Sequence, residues 1–375
     1  MNAFPTPTID AEQHSNALLD SIKNQIATSN GKISFRDYMD LALYAPGLGY
    51  YSAGAKKFGP EGDFITAPEI SSLFAVTLLP TWLHVRQELP TAAILELGAG
   101  SGKLCVDLLQ ALDKQNCLPE KYYILEVSAD LKHRQAEYIK ANIPHLANKI
   151  EWLNSIENFT FSGLVIGNEI LDAMPVHKFR IHKGILEEYF VTMANDQLVE
   201  CLDSPTAIVN DHLDKEQFFE NNDYTSEINT EMNPFFKSLF QCIEKGLLLF
   251  FDYGFPANEY YHPSRSMGTL MCHYRHLSHG DFFLYPGLQD ITAHVNFSLV
   301  AKAADMAGFD ILGYTTQAAF LLHNNILEYV QTIKDKQAIQ LLTSPAEMGE
   351  LCKVITLGKN CNYNDTIPYN MLYKL

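Results

Sequence analysis

The stretch "AAILELGAGSGKLCVDLL", residues 92–109, decides the fold. Ala92, Ala93, Ile94, Leu95 and Leu97 form an apolar run of the length expected for a buried parallel strand. Leu104, Leu108, Leu109 and Leu112 then recur at the spacing of an amphipathic helix. Between the two, Gly98, Gly100 and Gly102 let the chain reverse tightly and bring bare backbone, with the N–H groups of a helix start, against a ligand.

The spacing of the glycines narrows that ligand. A dinucleotide fingerprint has its third glycine three residues after the second, where this chain has Lys103. A phosphate-binding P-loop needs a Lys-Ser or Lys-Thr pair after its last glycine, and none follows here. Glu96, just ahead of the turn, would repel phosphates and suit a cationic or hydroxyl-rich ligand. S-adenosylmethionine, with a sulfonium, an amino group and no phosphate, meets that description. The same pattern also serves as a plain strand-to-helix connection.

A chain of 375 residues can bury a large core, as two domains or as one α/β domain with insertions. Its formal charge of −17 argues against nucleic acid as a partner and suits a basic protein or peptide, although an acidic surface alone explains much of it. Seven cysteines without paired spacing read as reduced thiols. No apolar run reaches the roughly 18 residues of a membrane helix. The opening "MNAFPTPTIDAEQHSNALLD" has acids and no Lys or Arg, unlike a secretory or mitochondrial leader, so the expected location is the cytoplasm.

From Ala92 to about Asn168 strands alternate with helices, which implies right-handed crossovers and a parallel sheet. Residues 177–230 lose that regularity and read as a β-rich insertion; the core resumes with a helix at "NPFFKSLFQCIEKG" and a strand at "LLLFFDYG", followed by a long loop over 253–290 and a last strand near "CKVITLG". Residues 1–90 read as a helical N-terminal region with a lid, and 91–375 as the ligand-binding domain. In the lid stretch "FGPEGDFITAPEIS", Gly and Pro hinges flank Phe64 and Ile65, while Thr66, Pro68 and Glu69 have the layout of a helix start able to reach the ligand.

Three further groups carry chemistry. Glu126 closes the second strand, where a carboxylate can hold the two hydroxyls of a ribose or, alternatively, cap the next helix. "GNEILDAMPVHKF", residues 167–179, puts Asn168, Glu169 and Asp172 at the carboxyl end of a central strand, beside the reacting end of a ligand; a capped turn is the other reading. His273, His276 and His279 near Cys272 lack the paired ligand spacing of zinc sites, and no metal is expected. His294 reads as the start of an amphipathic helix, where the helix terminus would favour a neutral ring that accepts a proton; a capping role is the alternative.

Six blocks, "FRDYMDLALYAPGLGYY", "FGPEGDFITAPEIS", "ILELGAGSG", "GNEILDAMPV", "GTLMCHYRH" and "QDITAHVNF", resemble the MidA-type methyltransferases, the family of a mitochondrial complex I assembly factor that methylates an arginine. The resemblance spans roughly residues 35–297 and departs at Asn296, where the family pattern leads us to expect Asp. It implies a class I S-adenosylmethionine-binding fold, Rossmann-like, with a mostly parallel seven-stranded sheet flanked by helices and inserted elements as a lid. It also implies a protein substrate, such as a complex I subunit, and is compatible with a homodimer. On this reading Glu96, Gly98, Gly100, Gly102, Glu126, Thr66, Pro68 and Glu69 serve the cofactor, and Asn168, Glu169, Asp172 and His294 serve catalysis. The competing readings are a methyltransferase for small molecules or other residues, and a noncatalytic assembly chaperone.

Overall fold

The computed structural model describes residues 4–53, 65–213, 223–361 and 369–375. The chain forms two compact units, each built from discontinuous segments: one from Ile65–Asp172, Met232–Ala257 and Val295–Leu375, the other from Met1–Phe64, Ala173–Glu231 and Asn258–His294. This differs from a boundary near residue 90. The reason is packing: Leu73, Phe74, Trp82 and Val85, on the short helices between Ala67 and Glu88, lie in the same core as the strand Ala93–Leu97 and the helix Lys103–Lys114.

The first unit is an α/β sheet. Besides the two-residue strand Val295–Asn296, which pairs in parallel with Ile243–Phe255, its strands, in chain order, are β1 Ala93–Leu97, β2 Tyr122–Leu125, β3 Ile150–Leu153, β4 Phe161–Asn168, β5 Ile243–Phe255, β6 Asp310–Thr316 and β7 Cys352–Lys359. They lie in the order β3-β2-β1-β4-β5-β7-β6. Pairings from β3 to β5 are parallel, and β7 runs antiparallel to both of its neighbours. Every residue of β1 is buried, which accounts for its unbroken apolar run. The helix Lys103–Lys114 buries Leu104, Leu108, Leu109 and Leu112, each contributing about 1.5–3 kcal/mol. The order reverses between β1 and β4, and in open α/β sheets ligands bind outside the carboxyl ends of the strands at that point.

Strand β6 has no counterpart in the sequence reading. Its run "DILGYTT" is short and half-buried, so it lacks the apolar signature of the central strands, and it is held by antiparallel pairing with β7.

The second unit holds the helices Ile9–Thr28 and Phe35–Tyr44, N-capped by the side chains of Thr8 and Ser34. Its main sheet is antiparallel: Lys32–Ser34, Ile185–Ala194, His177–His182 and Asp223–Ile228 in that order, with Gln197–Asp203 added to Ile185–Ala194. The β-rich stretch expected over 177–230 supplies four of these five strands, and Lys32–Ser34 supplies the fifth. The region read as a loop over 253–290 contains further structure, including a three-stranded antiparallel sheet of Leu277–His279, Met271–Tyr274 and Asp290–Thr292. Residues 58–64 of the lid stretch, Phe64 among them, lie outside the described residues.

All seven cysteines are free thiols. Among the described residues no helix is long and apolar enough to cross a membrane, and no group of three or more His, Cys, Asp or Glu side chains is arranged to hold a metal.

Candidate active site

The turn after β1 places Gly98, Gly100 and Gly102 at φ of 67°, 53° and 84°. Side chains rarely tolerate that left-handed region, so the three glycines are required by the backbone itself. Space adds to the constraint at Gly98, where a Cβ would stand 3.1 Å from Ile170 Cγ2. Gly102 is the N-cap of Lys103–Lys114 and brings no capping side chain. Ser101 supplies one instead: its Oγ accepts the Lys103 N–H at 3.2 Å while its hydroxyl donates to Glu69.

Glu69 therefore reaches the glycine turn from the short helix Ala67–Ile70. Thr66 is the N-cap of that helix without a side-chain cap bond, and Pro68 occupies its first turn, where a missing N–H costs nothing.

Glu126 follows the end of β2 and is buried. Its Oε1 accepts the Ser128 N–H at 2.9 Å and its Oε2 accepts Gln135 Nε2 at 3.1 Å. The same Gln135 amide donates to the carbonyl of Gly100 at 3.0 Å, and its Oε1 accepts the Trp152 indole N–H at 2.9 Å. Gln135 thus ties the strand-end acid to the middle glycine. A carboxylate oxygen has room for a second donor, so Glu126 keeps capacity for hydroxyls. Burial pushes its carboxyl upward, opposed by the Ser128 and Gln135 donors.

Glu96 sits differently from its sequence reading. It is buried within the sheet, accepts the Tyr122 hydroxyl at 2.7 Å, and burial raises its carboxyl to about 7. The phosphate-repelling charge expected of it is therefore much reduced near neutrality. The argument against phosphate is carried instead by Lys103, whose ammonium is already paired with Asp107.

At the end of β4, Asn168 Nδ2 donates to Glu169 Oε1 at 3.2 Å, and the Ala67 N–H reaches the same oxygen at 3.3 Å. Asn168 Oδ1 is buried and has no hydrogen-bond partner among the described residues. Glu169 has a φ of 50°, a conformation uncommon for a residue other than glycine, and its N–H donates to the Phe251 carbonyl at 2.8 Å. The turn is closed by Asp252 on β5. One oxygen of its fully buried carboxylate accepts the N–H groups of Ile170 at 3.1 Å, Leu171 at 2.8 Å and Asp172 at 3.3 Å, and the other accepts that of Tyr253 at 2.8 Å. Burial, with the charge of Glu169 adding to it, raises the Asp252 carboxyl to about 8.

Sequence reasoning missed Asp252, Gln135, Ser101 and Trp152. Only Asp252 left a trace, as an acid interrupting the apolar run "LLLFFDYG".

His294 belongs to the other unit. The helix-start reading does not hold for it. The following helix is Phe297–Ala307, and its N-cap is Asn296, whose side chain accepts the Leu299 N–H. Asn caps a helix as well as Asp does, so the departure at 296 preserves this function. His294 precedes the cap by two residues, and its N–H donates to Thr269 Oγ1 at 3.0 Å.

The donor set suits S-adenosylmethionine. Left-handed glycines bare the backbone, Glu126 can accept hydroxyls, and Asn168 Oδ1 is a buried acceptor awaiting a donor such as an amino group.

Comparison with known proteins agrees. A family model for S-adenosyl-L-methionine-dependent methyltransferases matches residues 73–315. A Burkholderia thailandensis crystal structure bound to S-adenosyl-homocysteine is 40% identical, with 96% of each chain covered and a TM-score of 0.89. A relative in Caenorhabditis elegans, named protein arginine methyltransferase NDUFAF7 homolog, mitochondrial, is 28% identical over 90% of this chain and 84% of its own length. The mouse protein arginine methyltransferase NDUFAF7, mitochondrial, is 28% identical over 86% of this chain and 80% of its own. The mitochondrial location of these relatives overturns the cytoplasmic expectation, which rested on the composition of twenty residues. On the family match, the shared fold and the cofactor-type site, the chain belongs to the S-adenosyl-L-methionine-dependent methyltransferases.

Proposed function

We propose that the chain methylates an arginine side chain of a protein, with Glu169 and Asp172 gripping the guanidinium. The observation that carries this reading is the backbone of Glu169, held at φ 50° between a buried, unpartnered Asn168 oxygen and a turn closed by Asp252. Such a conformation costs of order 1–3 kcal/mol and persists where the surroundings over-determine it, as they do at functional sites. The names of the curated relatives support arginine as the acceptor, and the charge of −17 suits a basic segment of protein. The resemblance to MidA-type enzymes points to a respiratory complex I subunit as that protein.

S-adenosylmethionine, when bound, supplies a methyl group already activated by its sulfonium. The protein's task is alignment, which can supply up to about 7–11 kcal/mol. Gly98, Gly100, Gly102 and Glu126 would hold the nucleoside side, with Glu96 supporting the turn from within the sheet, and Thr66, Pro68 and Glu69 would serve the methionine side. A guanidinium stays protonated and its nitrogen lone pairs are delocalised, so it needs help to act as a nucleophile. A bidentate carboxylate fixes its plane and draws positive charge toward the gripped nitrogens, leaving the third one aimed at the methyl group. Asn168 orients Glu169, and the proton displaced as nitrogen gains the methyl passes to a gripping carboxylate.

The test is incubation with methyl-labelled S-adenosylmethionine and a panel of basic proteins that includes complex I subunits, followed by peptide mass spectrometry. Label on arginine is expected. Label on another residue type, or none from a protein that calorimetry shows to bind the cofactor, rejects the reading in favour of another acceptor or a chaperone.

A further inference from the structure

Two turns carry the site: the glycine turn after β1 and the turn after β4 that presents Glu169. Both lie in the same unit, and one four-residue helix of that unit, Ala67–Ile70, is bonded to each of them. At one end the Ala67 N–H donates to Glu169 Oε1 at 3.3 Å, beside the Asn168 amide, which donates to the same oxygen at 3.2 Å. At the other end Glu69 accepts the Ser101 hydroxyl, and Ser101 Oγ accepts the Lys103 N–H at 3.2 Å, at the start of the helix Lys103–Lys114. Ala67 is fully buried in the core shared with β1 and that helix, and Pro68 fixes the backbone φ between the two contacts. A segment this short, so held, cannot shift at one end without shifting at the other. The two turns also meet directly, since a Cβ on Gly98 would stand 3.1 Å from Cγ2 of Ile170, the residue after Glu169.

The chemistry of the two contacts gives the segment a task. The first N–H groups of a helix have no partner within it, so that of Ala67 is available to a carboxylate, and an N–H bond to a carboxylate is charge-assisted and directional. It fixes where Glu169 Oε1 points. Ser101, at the opposite end, stands between Gly100 at φ 53° and Gly102 at φ 84°, so a ligand settling on the glycine backbone sets the direction of its hydroxyl. We propose that Ala67–Ile70 is a coupling element, in which Glu69 is a positioning residue that passes occupancy of the glycine turn to the Glu169 carboxylate, so that the cofactor prepares the acceptor site. By linkage the acceptor must then tighten the cofactor by the same factor. The consequence for the acceptor rests on the reading of Glu169 as the grip on a guanidinium; the coupling between the two turns does not.

The test uses S-adenosylhomocysteine as the cofactor probe, at saturation verified by calorimetry, and reads Glu169 itself by NMR in protein whose glutamates are isotope-labelled at the carboxyl carbon. The Glu169 signal is the one lost from Glu169→Gln. In the parent it is expected to shift when the probe is added. Ser101→Ala and Glu69→Ala break the bridge at the glycine turn, and each is expected to lose most of that shift with the probe still bound. Ala67→Pro breaks it at Glu169, at a first-turn position that accepts proline and after Thr66, already extended at ψ 163°, and is expected to do the same. Glu69→Gln keeps an acceptor oxygen for the Ser101 hydroxyl and is expected to restore the shift, which a role through charge alone would not. Titration with an acetyl-Gly-Arg-Gly-amide peptide completes the test: the probe is expected to tighten it about five- to 150-fold in the parent and less than about twofold in Ser101→Ala. A parent signal indifferent to S-adenosylhomocysteine, or one that shifts as far in folded Ser101→Ala or Glu69→Ala, overturns the proposal. A signal that follows the probe through the bridge but never responds to the peptide upholds the coupling and rejects Glu169 as the grip, so the two readings fail separately.

Discussion

Asp252 Oδ2 accepts the Leu171 N–H at 2.8 Å, and with it the flanking N–H groups of Ile170 and Asp172, so that one buried carboxylate oxygen on β5 shapes the turn leaving β4. Asp252→Ala leaves four backbone donors without their acceptor, the Tyr253 N–H as well as these three, and a buried donor left unsatisfied costs roughly 1–3 kcal/mol. We expect a stability loss at the upper end of that range by chemical denaturation, with turnover lost as Glu169 relaxes. Asp252→Asn keeps an acceptor oxygen and is expected to lose less. Stability of Asp252→Ala within error of the parent would mean that the turn closes without this carboxylate.

Glu96 gives a pH dependence with a definite sign. Buried in the sheet, its carboxyl holds a proton up to about 7, against an ordinary value of 4.5. Between those values the folded chain binds more protons than the unfolded chain, so this group's contribution is complete below about 4.5 and is lost as pH rises through about 7. The slope from this one group approaches about 1.4 kcal/mol per pH unit. Glu96→Gln, which still accepts the Tyr122 hydroxyl, should flatten the stability profile over that window. A parent and variant with parallel profiles would assign the slope elsewhere.

What the sequence disclosed and what it hid follow from the range of the interactions. The β1–turn–helix unit is local, and its glycines are required by their own φ angles, so residues 92–109 were enough to place it. The place of Glu126 just after the second strand was legible because strand, glycine turn, helix and strand come in the expected order. Asp252 was not, since its meaning depends on pairing across the sheet: Phe251 lies beside Asn168 only once β5 and β4 are in register. The same holds for Ser101, which meets Glu69 across 32 residues of chain. His294 was misplaced by two residues of helix boundary, and the cap fell to Asn296.

Gly100→Val should abolish cofactor binding. The position has φ 53°, and a β-branched residue in the left-handed region is strained by at least about 1–2 kcal/mol. The Gly100 carbonyl is also fixed by Gln135, so a backbone shift there would disturb the Glu126 network. Calorimetric titration with S-adenosylmethionine on a folded variant checks this, and retained affinity would remove the glycine turn from the cofactor site.

Glu126→Ala should weaken cofactor binding by about 1.5–3 kcal/mol, the range for a lost hydrogen bond to a charged group. Part of that loss is indirect, because Gln135 Nε2 loses one of its two acceptors. Gln135→Ala separates the contributions: if Glu126 holds the ribose directly, Gln135→Ala is the milder variant. Equal losses would make the acid a support for the turn rather than a ligand group.

Glu169→Gln addresses catalysis itself. Its Oε1 accepts the Asn168 amide and the Ala67 N–H, and both donors can be met by the oxygen of a glutamine, so fold and cofactor affinity should be retained. The amide removes the negative charge that fixes a guanidinium, and turnover on a confirmed arginine substrate should fall by about two orders of magnitude or more. Glu169→Gly gives an independent check: it relieves the strain of φ 50° and so should be at least as stable as the alanine variant at this position, yet equally inactive. Full turnover by Glu169→Gln with an unchanged KM would reject the carboxylate grip and leave Asp172 as the acid to test next.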